Sequence, residues 1–337
     1  MREITLNTPL DMHIHLRDGE MLNLVAPLTA KTFSGAIIMP NLVPPVTTKE
    51  AVVAYKKRII SAIGDESFEP YMTLFFQKYT KEFLSDVKDE ILALKLYPAG
   101  ITTNSESGVS VIDAEELRPT IEAMIELDIP LCIHGETNGF VMDREKEFMP
   151  IYESLAKTFP KLKIIMEHIT TKDAVDMLDK YDNLHASITL QHLLITLDDV
   201  AGGMLKPHLF CKPIAKRYED RAALLKVALE GHPKVMFGSD SAPHPKHAKE
   251  ACGCAAGVFT APIALQVLVD LFDKNGCLDN LKKFINENAL NIYSVTPPQK
   301  EITLIQKDFT VPSAYSNETE TVVPMFSDEV IPWSIKK

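Results

Sequence analysis

Short apolar segments alternate with longer amphipathic segments along this chain of 337 residues. The apolar segments have the length and composition of β-strands, and the longer segments space their hydrophobic residues as helices do. Regular alternation of this kind is typical of a parallel sheet covered by helices. Eight such units predict an α/β fold, the (β/α)8 or TIM barrel, rather than an open doubly wound sheet. The predicted strands are residues 10–16, 36–40, 71–76, 92–97, 131–134, 164–168, 185–190 and 234–238.

The amphipathic segments also carry signals for helix initiation. Thr48, Asp113 and Thr171 each stand where the N-cap of a helix is expected. After about residue 300 the pattern changes to short β-like segments interrupted by proline. We expect this C-terminal segment, about 300–337, to pack on the barrel, so that residues 1–337 form a single domain. The predicted helices are residues 48–63, 113–127, 146–159, 171–180, 217–230, 261–274 and 281–293.

The composition excludes several classes of protein. The net charge is −11 and the chain has no basic tract, so we expect neither nucleic acid nor an anionic membrane as a partner. No segment approaches the ~18 uninterrupted apolar residues of a membrane span. The N-terminal residues lack the apolar core of a secretory signal, which favours a cytoplasmic protein. Glycine-rich phosphate-binding signatures do not follow the predicted strands, so a nucleotide is not the expected ligand.

The cysteines are typical of free thiols in a reducing compartment, because they are five in number and scattered. Cys252 and Cys254 form a Cys-x-Cys pair, which indicates a metal only weakly because no second pair accompanies it. The sequence therefore predicts no disulfide framework, and it leaves the role of these two cysteines open.

Chemically competent side chains follow the predicted strands at their C-terminal ends, where the active sites of such barrels are built. His13 and His15 end the first strand, and alternation along a strand directs both imidazoles to one face. Such a pair is half of a metal site, with zinc the favoured occupant. Alternatively, the two histidines only pack or face solvent. Across all strand ends the candidate residues are His13, His15, Asn41, Lys95, His134, His168 and Asp240.

Lys95 is the least expected member of this set, because an apolar strand is a costly place for an ammonium group. Burial would lower its pKa, and a neutral amine reacts with carbon dioxide to give a carbamate. A carbamate is an anionic oxygen ligand able to bridge two cations. Alternatively, Lys95 extends toward solvent at the barrel mouth. His134 and His168, taken singly, are also typical of hydrogen-bonded core histidines.

Several segments together resemble one family. DMHIHLRDG, KLYPAGITTNS, IHGE, MEHI and GSDSAPH occur in this order, and FCKPIAKR and the terminal PWSIKK extend the similarity over essentially the whole chain. The set is similar to that of the dihydroorotases of the shorter bacterial type, in the amidohydrolase superfamily. A His-x-His pair alone is shared by many amidohydrolases, whereas the complete ordered set is specific.

The resemblance implies a centre of two Zn²⁺ ions in each subunit. Lys95, as N6-carboxylysine, would bridge both ions together with a hydroxide that attacks the amide carbon. Asp240 would act as general base and acid, taking the proton of that hydroxide and passing it to the leaving ring nitrogen. The other implied ligands are His13, His15 and Asp240 for one zinc and His134 and His168 for the second.

The resemblance also implies the substrate, dihydroorotate in one direction and N-carbamoyl-L-aspartate in the other. The guanidinium of Arg17 suits a carboxylate, and the alternative is a surface ion pair with Asp18 or Glu20. Residues 99–108 form a polar loop that is either a lid or a passive surface loop. The implied substrate contacts are Arg17, Asn41, His244 and the backbone of Lys212 and Ala255, with Thr102 and Thr103 in the lid.

Two other functions stay open at this point. A different cyclic amidase, such as a hydantoinase or a dihydropyrimidinase, would use the same metal ligands without needing a carboxylate contact from Arg17. A catalytically silent barrel that serves as a binding subunit would be expected to lose Lys95 or Asp240, and both are present. The resemblance further implies a homodimer, which the sequence pattern itself does not indicate.

Overall fold

The structure, a computed structural model, describes residues 2–336. Its centre is a sheet of eight parallel strands, arranged in chain order and curved into a barrel. The predicted fold class is therefore confirmed, and each predicted strand has a counterpart among β2 to β9. In chain order the strands are β1 (Glu3–Asn7), β2 (Leu10–Ile14), β3 (Gly35–Ile38), β4 (Glu69–Phe75), β5 (Ala93–Leu96), β6 (Leu131–Ile133), β7 (Ile164–Met166), β8 (Leu184–Ile188), β9 (Val235–Phe237), β10 (Glu301–Thr310), β11 (Tyr315–Ser316), β12 (Thr321–Val322) and β13 (Val330–Ile335).

Hydrogen bonds from the segment after β9 close the barrel onto β2. The N–H of Asp240 donates to the carbonyl of His13 over 2.8 Å, and the N–H of His15 donates to the carbonyl of Ser241 over 3.1 Å. Gly238 allows this approach, because a Cβ atom there would lie 2.9 Å from the Cβ atom of His13. Closure of the barrel thus brings His13, His15 and Asp240 together.

Helices surround the barrel, and the predicted N-caps are confirmed. The side chains of Thr48, Asp113 and Thr171 each accept hydrogen bonds from backbone N–H groups in the first turn of their helix. None of the helices within residues 2–336 has the length and apolar composition needed to cross a membrane. The helices are α1 (Gly19–Thr32), α2 (Lys49–Ile63), α3 (Lys81–Val87), α4 (Ala114–Glu126), α5 (Arg144–Thr158), α6 (Lys172–Met177), α7 (Leu190–Leu194), α8 (Leu197–Ala201), α9 (Tyr218–Leu229), α10 (Lys246–Lys249), α11 (Ala264–Lys274), α12 (Leu278–Lys282) and α13 (Asn288–Tyr293).

The predicted helix at residues 281–293 is not one regular α-helix. A π-helical turn at Lys283–Glu287 separates α12 from α13. Phe284 and Ile285, both in this turn, are buried. The hydrophobic spacing that predicts a helix is thus retained across a local change of hydrogen-bond pattern, which spacing alone does not reveal.

The barrel strands are buried on both faces, and each face has its own hydrophobic core. The outer core lies between the strands and the helices. A second core fills the barrel interior toward the N-terminal ends of the strands, and we call it the inner core. Polar side chains occupy the interior beyond it. The inner core contains Leu10, Met12, Ile37, Met39, Ala93, Cys132, Ile165 and Met236, with Ile292 and Tyr293 from α13.

β2 changes the face that it presents to the barrel interior. Leu10 and Met12 belong to the inner core, whereas Ile14 packs in the outer core. The pairing of β2 with β3 shifts in register between Asp11 and Ile14. Such an irregularity re-aims the side chains that follow it. It lets an apolar residue at position 12 and the imidazole at position 13 both face inward.

The C-terminal segment adds a separate antiparallel sheet in the order β1, β10, β13. β10 is a continuous strand of ten residues that corresponds to the first of the β-like segments predicted after about residue 300. Leu304 and Trp333 of this sheet are buried in the same core as the helices around the barrel. This shared core supports the proposal that the barrel and the C-terminal segment form a single domain.

Candidate active site

Most of the predicted site residues surround one cavity at the C-terminal ends of the barrel strands. The cavity is narrow, with a free volume of about 20 Å³. Tyr97, Ala242, Ala256 and Gly257 also contribute to its wall. The predicted residues in the wall are His13, His15, Arg17, Asn41, Thr102, Thr103, His134, His168, Lys212 and Asp240.

His13, His15 and Asp240 converge, and we call them the first ligand group. Asp240 Oδ1 lies 3.0 Å from His15 Nε2 and 3.5 Å from His13 Nε2. Within residues 2–336, this is the one set of three or more His, Cys, Asp or Glu side chains whose ligand atoms lie within 4.8 Å of one another. Imidazole nitrogens and a carboxylate oxygen in this arrangement are suited to a divalent metal.

In the first ligand group, the Nδ1 atom of each imidazole is paired with a side-chain oxygen. His13 Nδ1 is paired with Glu167 Oε2 at 2.8 Å, and His15 Nδ1 with Asn41 Oδ1 at 2.9 Å. With the proton on Nδ1, the lone pair of each Nε2 faces Asp240. Burial lowers the pKa of both histidines, which favours the neutral form that binds metals.

His134 and His168 form the second ligand group. His134 Nδ1 lies 3.1 Å from His168 Nε2, while His134 Nε2 is paired with Glu136 Oε2 at 2.7 Å. Burial brings the pKa of His168 well below its ordinary value. The ring centroids of His168 and His13 are 4.9 Å apart. The two ligand groups are therefore adjacent.

Lys95 lies within β5 and is fully buried, so it does not extend toward solvent. Its Nζ atom has no hydrogen-bond partner among the described residues. Burial lowers the pKa of Lys95, against the opposing effects of Glu167 and Asp240. Its charge in turn lowers the pKa values of His13 and His168, one from each ligand group. An unpartnered amine thus lies next to both groups.

Three of the site residues have left-handed backbone conformations. The φ angles are 60° for Arg17, 42° for His168 and 45° for Asp240. Such angles are uncommon for residues other than glycine and cost free energy, so they persist where the surroundings hold them. Each of the three follows the end of a barrel strand, and the unusual turn directs its side chain into the cavity.

Arg17 and His244 are linked at one side of the cavity. Arg17 Nε donates to the carbonyl of Pro243 over 3.0 Å, and Arg17 Nη2 lies 3.0 Å from His244 Nε2. Asp18 instead pairs with Arg58 at 2.8 Å. Among the described residues neither Asp18 nor Glu20 forms an ion pair with Arg17, so this alternative is not supported. Arg17 Nη1 has no partner among the described hydrogen bonds. The guanidinium therefore keeps donors for an anionic ligand.

Residues 99–108, which we call the lid loop, are packed against the barrel mouth. Ser105 in this loop is fully buried. Asn41 Nδ2 donates to the carbonyl of Thr103 over 3.0 Å, and Lys212 Nζ donates to the carbonyl of Ile101 over 3.1 Å. These bonds hold the loop in the position where Thr102 and Thr103 form part of the cavity wall.

The structure places the predicted residues Ala255 and His244 in a wider pocket that adjoins the cavity, whereas Ala256 and Gly257 line the cavity itself. The contact between the backbone of Ala255 and a ligand stays a prediction. The N–H groups of Ala255 and Gly257 donate to backbone carbonyls, whereas that of Ala256 has no partner among the described hydrogen bonds. Three small residues in a row give no sequence signal for which of them faces inward.

Sequence reasoning missed the acidic residues that orient the histidines. Glu167 directly precedes His168, and Glu136 follows His134 by two residues. A buried carboxylate next to a candidate metal ligand is a recognisable signal, because such ligands commonly donate their second N–H to one. Asp11 is also buried, and it accepts hydrogen bonds from the N–H groups of His13 and Ser239 over 3.2 and 2.8 Å.

The cysteines are all free thiols. Cys252 is exposed and Cys254 is partly exposed. Neither belongs to the metal-competent set found in the described part of the chain. The predicted absence of a disulfide framework is consistent with these positions.

Comparison with known proteins gives one family. Residues 9–297 match the Amidohydrolase family. A dihydroorotase from Helicobacter hepaticus is 43% identical and aligns over 99% of this chain and 98% of its own length. The crystal structure of a dihydroorotase from Campylobacter jejuni shares 56% identity and a TM-score of 0.96, covering 99% of this chain and 98% of that one. The dihydroorotase from Saccharomyces cerevisiae, crystallised with 5-fluoroorotic acid, is 33% identical with a TM-score of 0.93, covering 100% and 99% of the two chains.

These matches extend along the whole chain and include both the barrel and the C-terminal segment. They agree with the resemblance that the ordered sequence motifs indicate, which is therefore confirmed. The chain belongs to the amidohydrolase family and, within it, to the dihydroorotases.

Proposed function

We propose that this chain catalyses the reversible closure of N-carbamoyl-L-aspartate to dihydroorotate and water, a step of pyrimidine biosynthesis. The observation that carries the proposal is the position of Arg17 and Asn41, which line the same cavity as both ligand groups. One cavity would thus contain both the groups that bind the carboxylate of a cyclic amide and the groups that act on its amide bond. The full-length similarity to dihydroorotases supports the same substrate.

The metal centre that we propose holds two zinc ions. The first ligand group would hold one ion and the second ligand group the other, with Lys95 as a carbamate between them. Neutral imidazoles and a carboxylate are zinc ligands, and the unpartnered Nζ of Lys95 suits a group that is modified when the centre forms. When bound, such ions lower the pKa of a water molecule and polarise an amide carbonyl.

Asp240 is the group that we assign to proton transfer. Its carboxylate lies in the cavity wall, and burial raises its pKa. A carboxylate at this position can accept a proton from a water molecule in the cavity and pass it to a leaving group. In hydrolysis Asp240 takes the proton of the attacking water and gives it to the leaving ring nitrogen. In ring closure the same proton moves in the opposite direction.

The substrate carboxylate is assigned to Arg17, Asn41 and His244. Arg17 Nη1 has no partner among the described residues, and guanidinium groups bind carboxylates with paired hydrogen bonds. Asn41 also fastens the lid loop through Thr103. Binding of the carboxylate and closure of the loop would therefore depend on one side chain. The backbone of Lys212 and of the 255–257 segment would contact the ring.

We also propose a homodimer, on the strength of the family resemblance. Light scattering on the purified protein tests this assignment directly. A mass of one chain at micromolar concentration would contradict it.

The proposed function is tested with one zinc-supplied preparation. We expect it to interconvert N-carbamoyl-L-aspartate and dihydroorotate in both directions and to contain about two zinc ions per chain. In ¹³C-bicarbonate it should give a carbamate resonance that the Lys95→Ala variant lacks. A zinc-loaded, folded protein that leaves both compounds unchanged would overturn the function. Activity without the carbamate resonance would overturn only the bridging role of Lys95.

A further inference from the structure

Lys249, the last residue of α10, is a buried lysine outside both ligand groups, with 3% of its surface exposed. Its Nζ donates to three backbone carbonyls, those of Ala255 over 2.7 Å, Gly257 over 2.8 Å and Phe210 over 2.9 Å. An ammonium group has three donors, so these bonds satisfy it completely. A buried lysine with all its donors on carbonyls acts as a clamp on the backbone.

The three carbonyls belong to two segments that contribute to the cavity. Phe210 precedes Lys212 by two residues, and the other two acceptors flank Ala256. The N–H of Gly257 also donates to the carbonyl of Phe210 over 2.9 Å. Lys249 therefore joins the two segments that carry the backbone groups facing the substrate.

The hydrogen bonds of residues 255–257 show what the clamp determines. The carbonyls of Ala255 and Gly257 both point to Lys249, whereas the carbonyl of Ala256 does not. The carbonyl of Ala256 lies 3.0 Å from His244 Nε2. Its N–H, which has no protein partner among the described hydrogen bonds, is left for a ligand in the cavity.

We propose that Lys249 is a positioning residue, which orients the backbone of Ala256 and thereby the amide contact to the substrate ring. This inference rests on the proposed function. Lys249 touches neither ligand group, so its loss weakens substrate binding and leaves the metal centre and the chemical step in place. Burial lowers the pKa of Lys249 to about 8, so it is charged over most of the physiological range.

The test compares Lys249→Met, which removes the donors, with Lys249→Gln, which retains two. Lys246→Met is the matched control, because Lys246 lies on the same helix and its side chain is 52% exposed. For Lys249→Met we expect KM for dihydroorotate to rise about tenfold, with kcat within about threefold of the wild type. Lys249→Gln should be intermediate, the control should match the wild type, and zinc content should be equal in all.

The outcomes separate this inference from the proposed function. A wild-type protein inactive on dihydroorotate overturns the proposed function. An active wild type with an unchanged KM in both Lys249 variants overturns the positioning role. A parallel fall of kcat and zinc content also overturns it, because that result indicates a general structural role. If Lys249→Met does not fold, the ratio of the KM and kcat changes is taken from Lys249→Gln.

Discussion

The interior of the barrel has two parts built by the same strands, the inner core and the active-site cavity. On β5, Ala93 lies in the inner core and Lys95 lies next to the ligand groups. Cys132 in β6 belongs to the inner core, and His134, directly after β6, lines the cavity, which repeats this relation. Two residues along a strand span about 6.6 Å. One pleat therefore separates a residue that stabilises the barrel from one that is placed for chemistry.

The two parts of the interior differ in whether their buried side chains need polar partners. Residues of the inner core need only fill space, whereas each polar residue of the cavity needs a partner or a function. Glu167 and Asn41 supply partners for His13 and His15. Lys95 has none among the described residues. Substitutions in the cavity should therefore change activity most, and substitutions in the inner core should change stability most.

The largest expected effect is in the cavity, at Asp240. Asp240→Asn removes a proton acceptor and a ligand of the first ligand group, so we expect kcat to fall about 10³-fold. The free energy of unfolding of the metal-free protein should change little. Steady-state kinetics of the zinc-loaded protein and urea unfolding of the metal-free protein measure the two quantities. Retention of a tenth of the wild-type kcat would contradict the assigned role.

The matching change in the inner core is Met236→Ala. Met236 is fully buried, and truncation leaves a cavity that we expect to lower the free energy of unfolding by about 3 kcal/mol. The kcat of the folded variant should stay close to that of the wild type. A large loss of kcat at unchanged stability would show that the two parts of the interior are not separable.

The next effect tests substrate choice within the cavity. Arg17→Met removes the proposed carboxylate contact, so we expect kcat/KM for dihydroorotate to fall about 10²-fold. Arg58→Met, at a 44% exposed arginine paired with Asp18, is the control and should be nearly silent. Activity on a cyclic amide without a carboxylate should not fall in parallel. Equal losses on both substrates would argue for a different cyclic amidase.

The smallest expected effect is on the pH dependence of stability, and it concerns a histidine in β8 at the end of the barrel that holds the inner core. His185 lies opposite Ile165, and burial, with Lys234 and Lys163, lowers its pKa from 6.5 to about 4. Protonation therefore favours the unfolded chain, so its contribution to stability is present above pH 6.5 and is lost as pH falls toward 4. We expect His185 to contribute about 2 kcal/mol to the drop in unfolding free energy between pH 7 and 5. In His185→Gln that component should vanish, and a pH profile identical to the wild type would refute it.

The strands and the cavity residues could be predicted because their signals are local. Runs of apolar residues predict the strands of the barrel, and polar residues at the ends of those runs predict the ligand groups. The inward turn of both Met12 and His13 could not be predicted, because strict alternation places them on opposite faces. The register shift beside them depends on how β2 pairs with β3.

Other features depend on distant contacts. The inward position of Ala256, rather than Ala255, follows from the clamp at Lys249. The roles of Glu136 and Glu167 depend on ring orientations that only the assembled barrel determines. β1 resembles an ordinary polar–apolar segment until β10 is known to pair with it.

The pairing of β1 with β10 has a consequence for synthesis of the chain. Thr5 and Thr303, which are hydrogen-bonded across the two strands, are 298 residues apart. At common translation speeds, roughly 15 to 60 s pass between the appearance of these two residues. During that interval the nascent chain carries β1 as an unpaired strand edge, which favours pairing with non-native strands. Synthesis of β10 supplies the strand that covers this edge.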